Sequence, residues 1–193
     1  MGTMNLYLFK AIQAYPWELE KSVEALNYAL SYEPENAKAL SLMGKVYAEQ
    51  LGDYETAKEY FEKALVSNLE MSDIYPDYIR VLLSNEDFEE AQKVIDFAKN
   101  LKGIDKATIK LLQACLFEAI SDFKKAEQTL KESAHLALNN DFIEFVDAEI
   151  ARVAKKRRNQ HQFEKEKIEK EQVEAEAKKK DENWFLNRLN SLL

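Results

Sequence analysis

Between Ala37 and Asn68 apolar residues recur with the period of a helix, break once, and resume. In the first half Leu40, Met43, Gly44 and Tyr47 fall at i, i+3, i+4 and i+7, which is one helical face. In the second half Tyr54, Ala57, Phe61, Ala64 and Leu65 do the same. The break is Gly52-Asp53. Glycine takes the left-handed conformation that ends a helix, and the Asp53 carboxylate is placed to cap the next one. Gly44 and Ala57 set small side chains on facing stripes. The spacing therefore predicts two antiparallel helices with closely approaching axes, with Phe61 and Tyr47 filling the space beside them.

The second-helix pattern recurs down the chain. Leu19, Tyr54, Phe88 and Phe123 align, as do Ser22, Ala57, Ala91 and Ala126. So do Leu26, Phe61, Ile95 and Leu130, then Ala29, Ala64, Ala98 and Ser133, in steps of 35, 34 and 35 residues. Four helix pairs are predicted over residues 4–138. The first helix, Met4 to Ala14, is apolar almost all round. It needs cover from its neighbours, from a partner or second copy, or from the chain's own tail. Pro16 suits the first turn of the following helix. Asp87 with Glu90, and Asp141 with Glu144, read as capping boxes.

From residue 139 a further helix carries Phe142, Phe145, Val146, Ile150 and Val153 as a stripe that closes the stack. No breaker follows before Asn183, so residues 139–182 form a long helix of roughly 60 Å. Beyond Lys155 the stripe thins, and Glu166–Lys170, Glu174–Lys178 and Glu176–Lys180 support the helix as i,i+4 pairs. Residues 183–193 hold Trp184, Phe185, Leu186, Leu189, Leu192 and Leu193. That apolar density after a charged segment predicts an anchor, docked on its own solenoid, a second copy or a partner.

The 37–68 unit resembles the tetratricopeptide repeat, whose period is 34 residues. The resemblance is carried by Leu40, Met43-Gly44, Tyr47, Gly52-Asp53-Tyr54, Ala57, Phe61 and Ala64. It departs at one extra residue between Tyr47 and Gly52, at Leu69 where proline is usual, and at Lys110 in the fourth copy. It implies an all-α, α-α superhelix: a solenoid of four helix pairs followed by the long C-terminal helix. It also implies a concave groove, lined by the first helix of each pair, that binds a peptide or protein segment. By that resemblance the groove positions are Tyr7, Ala11 and Tyr15, then Lys38, Ser41, Lys45 and Glu49. Next come Asp73, Pro76, Arg80 and Leu83, then Thr108, Leu111, Cys115 and Glu118. One subfamily grips chaperone carboxylate ends with Lys and Asn at two first-repeat positions. Tyr7 and Ala11 stand there by this count, so no such clamp is expected.

Composition adds limits. With only 4 Gly and 3 Pro in 193 residues the chain favours helix throughout, and no sheet is expected. A lone Cys115 forms no internal disulfide and suits a reducing compartment. No apolar run near 18 residues and no signal peptide is present, so a cytoplasmic location is expected. Net charge is −8, unevenly spread. Residues 1–154 hold 16 Lys/Arg against 27 Asp/Glu, and residues 155–193 hold 11 against 8. An acidic body argues against nucleic acid, and Lys155-Lys156-Arg157-Arg158 reads as a surface cluster. His135 and His161 lack metal-ligand spacing with Cys115. No phosphate loop or nucleophile elbow occurs, so no catalytic, cofactor or metal site is expected. The reading is a scaffold or adaptor that binds protein without catalysis and self-associates through its first helix or its tail. The alternative is a secretion-type chaperone holding an exported protein partly unfolded.

Overall fold

The recurring columns become the core. The structure, a computed structural model, describes the backbone of residues 5–190 and the side chains of residues 5–174 and of Trp184. The first two pairs are α1 (Leu6–Ala14) with α2 (Leu19–Tyr32) and α3 (Ala37–Val46) with α4 (Tyr54–Ser67). The next two are α5 (Ile74–Ser84) with α6 (Phe88–Ala98) and α7 (Lys106–Ala119) with α8 (Phe123–Leu136). A long α9 (Asn140–Asn190) follows, and no strand occurs among the described residues. Each pair packs on the next, and α9 closes the stack against α8.

Ser22, Ala57, Ala91 and Ala126, the Leu26 column and the Ala29 column are all 2 % exposed or less. Each large member fully buried contributes about 1.5–3 kcal/mol. The two hydroxyls in these columns are paired: Ser22 Oγ donates to the Ala11 carbonyl at 3.1 Å, and Ser133 Oγ to the Ala107 carbonyl at 2.7 Å. At Gly44 the close approach leaves no room for a side chain. A Cβ there would lie 2.8 Å from the Phe61 ring and 3.2 Å from the Ala57 carbonyl oxygen. Phe61 cannot retreat, because it is fully buried and stacks on Tyr78 at 5.7 Å.

The turns inside the second, third and fourth pairs repeat one geometry. Gly52, Glu86 and Ser121 all hold positive φ, at 67°, 61° and 63°. The Asp87 and Asp122 N–H groups reach back five residues, to Leu82 O and Phe117 O at 2.9 and 2.8 Å. Asp53 N–H reaches back six, to Tyr47 O at 3.0 Å. The extra residue of the second repeat is thus absorbed in a π-type turn, Tyr47–Leu51, which widens the helix end and leaves the link unchanged. Asp53 caps α4 through Thr56 N–H at 3.0 Å, as expected.

Four local expectations are corrected. Pro16 follows a cis peptide in the link, and α2 begins only at Leu19. The Asp87–Glu90 capping box does not form, because other partners compete. Asp87 Oδ2 accepts from Lys58 Nζ at 2.6 Å and Asn85 Nδ2 at 2.8 Å, and Glu90 accepts from the Tyr78 hydroxyl at 2.8 Å. At α9 the cap is Asn139, whose Oδ1 accepts from Asp141 N–H at 2.8 Å. Further along, Glu166 accepts from Gln162 at 3.0 Å, and the ion pair is Lys167–Glu171 at 4.0 Å. The Glu174–Lys178 and Glu176–Lys180 pairs lie outside the described side chains.

α9 is held by a buried seam and an ionic margin. Val146 and Val153 are fully buried against Ala114, Ala126 and Leu130. Arg152 donates to Glu118 at 2.6 Å and Lys156 to the same carboxylate at 2.6 Å. The Arg152 and Lys156 contacts hold the Glu118 carboxyl below its usual range, against the opposing effect of burial. Glu127 is paired with Lys131 at 2.6 Å and lies 3.2 Å from Arg157, an ion pair without hydrogen-bond alignment. From His161 to Glu174 every residue is exposed. The α9 backbone runs unbroken past residue 182 to Asn190, and Trp184 is exposed. The side chains of Phe185, Leu186 and Leu189 lie outside the described residues, as do Leu192 and Leu193.

Three outcomes follow from this packing. Gly44→Val should lower stability by about 2 kcal/mol or more, read in urea melts, because neither Phe61 nor the Ala57 carbonyl can yield. Glu86→Gly and Ser121→Gly should each raise the melting temperature by about 1–4 °C, since both relieve a Cβ in the left-handed region. Glu118→Gln should lower the neutral-pH melting temperature. A depressed folded pKa gives stability that is present above the unfolded value and lost as pH falls through the folded one. The gap between wild type and Glu118→Gln should therefore close as pH drops from 7 to below about 4.

Candidate functional site

The face presented by α1, α3, α5 and α7 opposite their partner helices is the candidate site. Its middle is a cleft of about 360 Å³ bounded by Lys45, Glu49, Asp77 and Arg80, with Tyr54 and Ser84 at its edges. The helical period brings Lys45 and Glu49 to one face of the α3 end, and Asp77 and Arg80 to one face of α5. Asp77 accepts from Arg80 at 2.8 Å and lies 3.2 Å from Lys45 Nζ, which links the second and third repeats. The Tyr15 hydroxyl donates to Glu49, and the Lys45 ammonium stands 5.9 Å from the Tyr15 ring centre. Burial, and then the Glu49 contact, push the Tyr15 phenol above its ordinary pKa. It therefore stays a donor at every physiological pH. The row carries two cations, two carboxylates and one phenol, all partly exposed.

Tyr15, Lys45, Glu49 and Arg80 are thus brought near one another. Lys38 is exposed further along α3, while Ser41 is buried at 8 % between helices. Leu83, Leu111 and Cys115 are half-buried. Burial pushes the Cys115 thiol upward, with Glu118 and Glu149 adding to it. Glu118 is committed to Arg152 and Lys156 of α9, so that end of the groove is closed by the chain's own ion pairs.

The first repeat is corrected by one position. Ala11 is fully buried and receives the Ser22 hydroxyl, which gives it the place that Gly44 holds opposite Ala57. Tyr7 is turned toward α2, stacked on Tyr28 and Tyr32 at 5.2 and 5.7 Å. Neither lines the groove. The cause is the link: eleven residues separate Ala11 from Ser22, whereas thirteen separate Gly44 from Ala57. In the corrected register Leu8 and Ile12 take the places of Ser41 and Lys45. The Lys and Asn of a chaperone clamp are missing there too. Phe9 and Ile12 make this end of the face apolar. Asp77 is the other residue missed. Its signal was a single charge in the column Leu42, Asp77, Leu112.

Among the described residues no cluster of His, Cys, Asp or Glu is arranged to hold a metal, and no helix is long and apolar enough to cross a membrane. Residues 37–67 match the tetratricopeptide repeat family. No curated protein matches the chain by sequence at a significant level. Solved structures do match in fold. PilF of Pseudomonas aeruginosa is 19 % identical with a TM-score of 0.69, over 79 % of this chain and 68 % of its own. Yeast Tom70 is 17 % identical with a TM-score of 0.66, over 79 % of this chain but only 33 % of Tom70. A tetratricopeptide-repeat protein of Thermus thermophilus is 18 % identical with a TM-score of 0.62, over 75 % and 79 %. At these identities the likeness is one of fold. With its matched unit at 37–67 as one of four stacked pairs, the chain has the fold of a tetratricopeptide-repeat solenoid.

Proposed function

We propose that the chain is a scaffold or adaptor that holds a segment of a protein partner along the α1–α3–α5–α7 face and performs no catalysis. The observation that carries the reading is the Tyr15–Glu49–Lys45–Asp77–Arg80 row. It spans three repeats, its side chains are held in place by one another, and they still face an open cleft. Such a preorganised row offers donors and acceptors to an extended backbone at little ordering cost. The apolar Phe9–Ile12 end gives that segment one greasy anchor point. A cytoplasmic setting fits the reading, as does self-association through the first helix or the tail. Nucleic acid does not fit the acidic body.

The test is a pull-down from the native host with mass spectrometry, comparing the wild type with the Lys45→Glu/Arg80→Glu double variant. A protein partner should be retained by the wild type and reduced about tenfold or more by the variant, a loss of about 1.4 kcal/mol or more. Helical circular dichroism should stay unchanged, because both side chains lie on the surface. Equal recovery with both proteins would remove the groove from the account.

A further inference from the structure

Where the first two second helices hand on to the next pair, the chain leaves large apolar side chains in water. Tyr32, the last residue of α2, is 69 % exposed. Val66, near the end of α4, is 89 % exposed, and Leu69 in the link to α5 is 54 % exposed. A single exposed valine is ordinary; its surroundings here are not. Two hollows of about 640 and 670 Å³ meet at the Pro34-Glu35 link. The first is lined by Pro34, Leu40 and Val66 together with Glu35, Glu59 and Glu62, and by one cation, Lys63. The second sets Glu33 and Glu35 against Lys38 and reaches Met71. Pro34, Glu35 and Ser67 border both, so the two form one trough.

The trough is acidic, and most of its charge is unspent. Lys63 lies 3.4 Å from Glu59 and over the Tyr60 ring at 5.3 Å. Glu33 accepts only from the neutral Asn36 amide, at 2.6 Å. Glu62 has a long 3.5 Å contact from the Tyr78 hydroxyl, which donates to Glu90 at 2.8 Å instead. Among the described residues Glu33, Glu35 and Glu62 have no cation in ion-pair reach. These carboxylates do not converge either, since no acidic cluster among the described residues is arranged to hold a metal. The arrangement suits cations spaced along a chain rather than one ion.

We propose that this trough takes a basic, partly apolar segment of a partner protein. Lysine or arginine stems lie on Pro34 and Val66 while their heads reach Glu35 and Glu62, as long cationic side chains do at an apolar surface with a charged rim. Carboxylates outnumber cations in both hollows, so charge selects a basic occupant. Because the hollows share a border, one segment crossing the link places successive side chains in both. Two of the four cations in this chain's own basic run, Lys156 and Arg157, are already paired with the body, which favours a foreign segment. The trough shares no residue with the Tyr15–Arg80 row, so its failure and the failure of groove binding are read by different substitutions.

The experiment measures fluorescence anisotropy of a labelled amphipathic peptide of Lys, Leu and Ala titrated with the full chain. The wild type should bind it, and should not bind the same peptide with Glu in place of Lys. Glu35→Lys/Glu62→Lys should weaken binding about tenfold or more, and Val66→Gln, which leaves charge unchanged, about threefold or more. Glu164→Lys/Glu169→Lys makes the same charge change on the exposed stretch of α9 and should bind as the wild type does. All five side chains are exposed, so thermal melts should match throughout. A wild type that does not bind overturns the proposal, as does an equal loss with the α9 variant, which would reduce the effect to overall acidity. Binding that ignores Val66→Gln overturns the segment and leaves a bare cation at the rim. A wild type that runs above monomer mass in light scattering, and falls to it with Glu35→Lys/Glu62→Lys, would give the trough to a second copy and also overturns the proposal.

Discussion

The structure depends on one steric condition: at a single level in three of the four pairs, both helices carry side chains small enough for their backbones to close. Ala11 meets Ser22, Gly44 meets Ala57, and Ala114 meets Ala126. In the third pair Ile79 is accepted opposite Ala91, so a larger residue is tolerated only where its partner is small. At Gly44 not even a methyl group fits beside Phe61. Because the helices close there, the large residues at Leu26, Phe61, Ile95 and Leu130 are pushed into the spaces between pairs, where they are shielded from water. Stability and stacking thus come from the same columns. The groove face, which contributes little to them, is left free to vary.

The stack ends because α9 changes what those columns present. Where α3 shows Leu40, Gly44 and Tyr47 to its partner, α9 shows Phe145, Glu149 and Arg152 at the same spacing. A further partner helix would have to bury Glu149 and Arg152, whose desolvation outweighs the packing it would gain. The two instead pair with each other, and Arg152 reaches over to Glu118. The inner face of α9 still supplies Val146 and Val153, so the fourth pair is sealed. One helix therefore serves as a lid for the core and as an arm that continues into solvent. Its exposed stretch has no stripe to bury, since Phe163, Ile168 and Val173 are five residues apart and point in different directions around the axis.

What could be read from the sequence follows this division. The second-helix columns were legible because their spacing is constant and their chemistry is apolar and small. The register of α1 was not. Counting back from α3 assumes equal links, and the first link is two residues shorter than the π-extended second one. Position counts cannot see a widened helix end. The capping boxes failed for a different reason. Asp87 and Glu90 have the right spacing, but Lys58 and Tyr78 come from other helices, and a local motif carries no information about them. Glu118, which the resemblance assigns to the groove, has its carboxylate already engaged by residues 34 and 38 positions later.

The charge of the groove limits what it rewards. Asp77 is shared by Lys45 and Arg80, and Glu49 accepts from the neutral Tyr15 hydroxyl, so each charged group of the row already has a partner. An acidic segment entering here would exchange one ion pair for another in a solvent-exposed cleft, where each pair is worth little. Net binding must then come from what is not already satisfied: the unused lone pairs and N–H groups of the row, and the apolar surface at Phe9 and Ile12. On the proposed reading, a carboxylate set beside Glu49 would be repelled by it, which selects against that partner. On the same reading, the segment that suits the face is mostly neutral along its length with one large apolar residue at the α1 end.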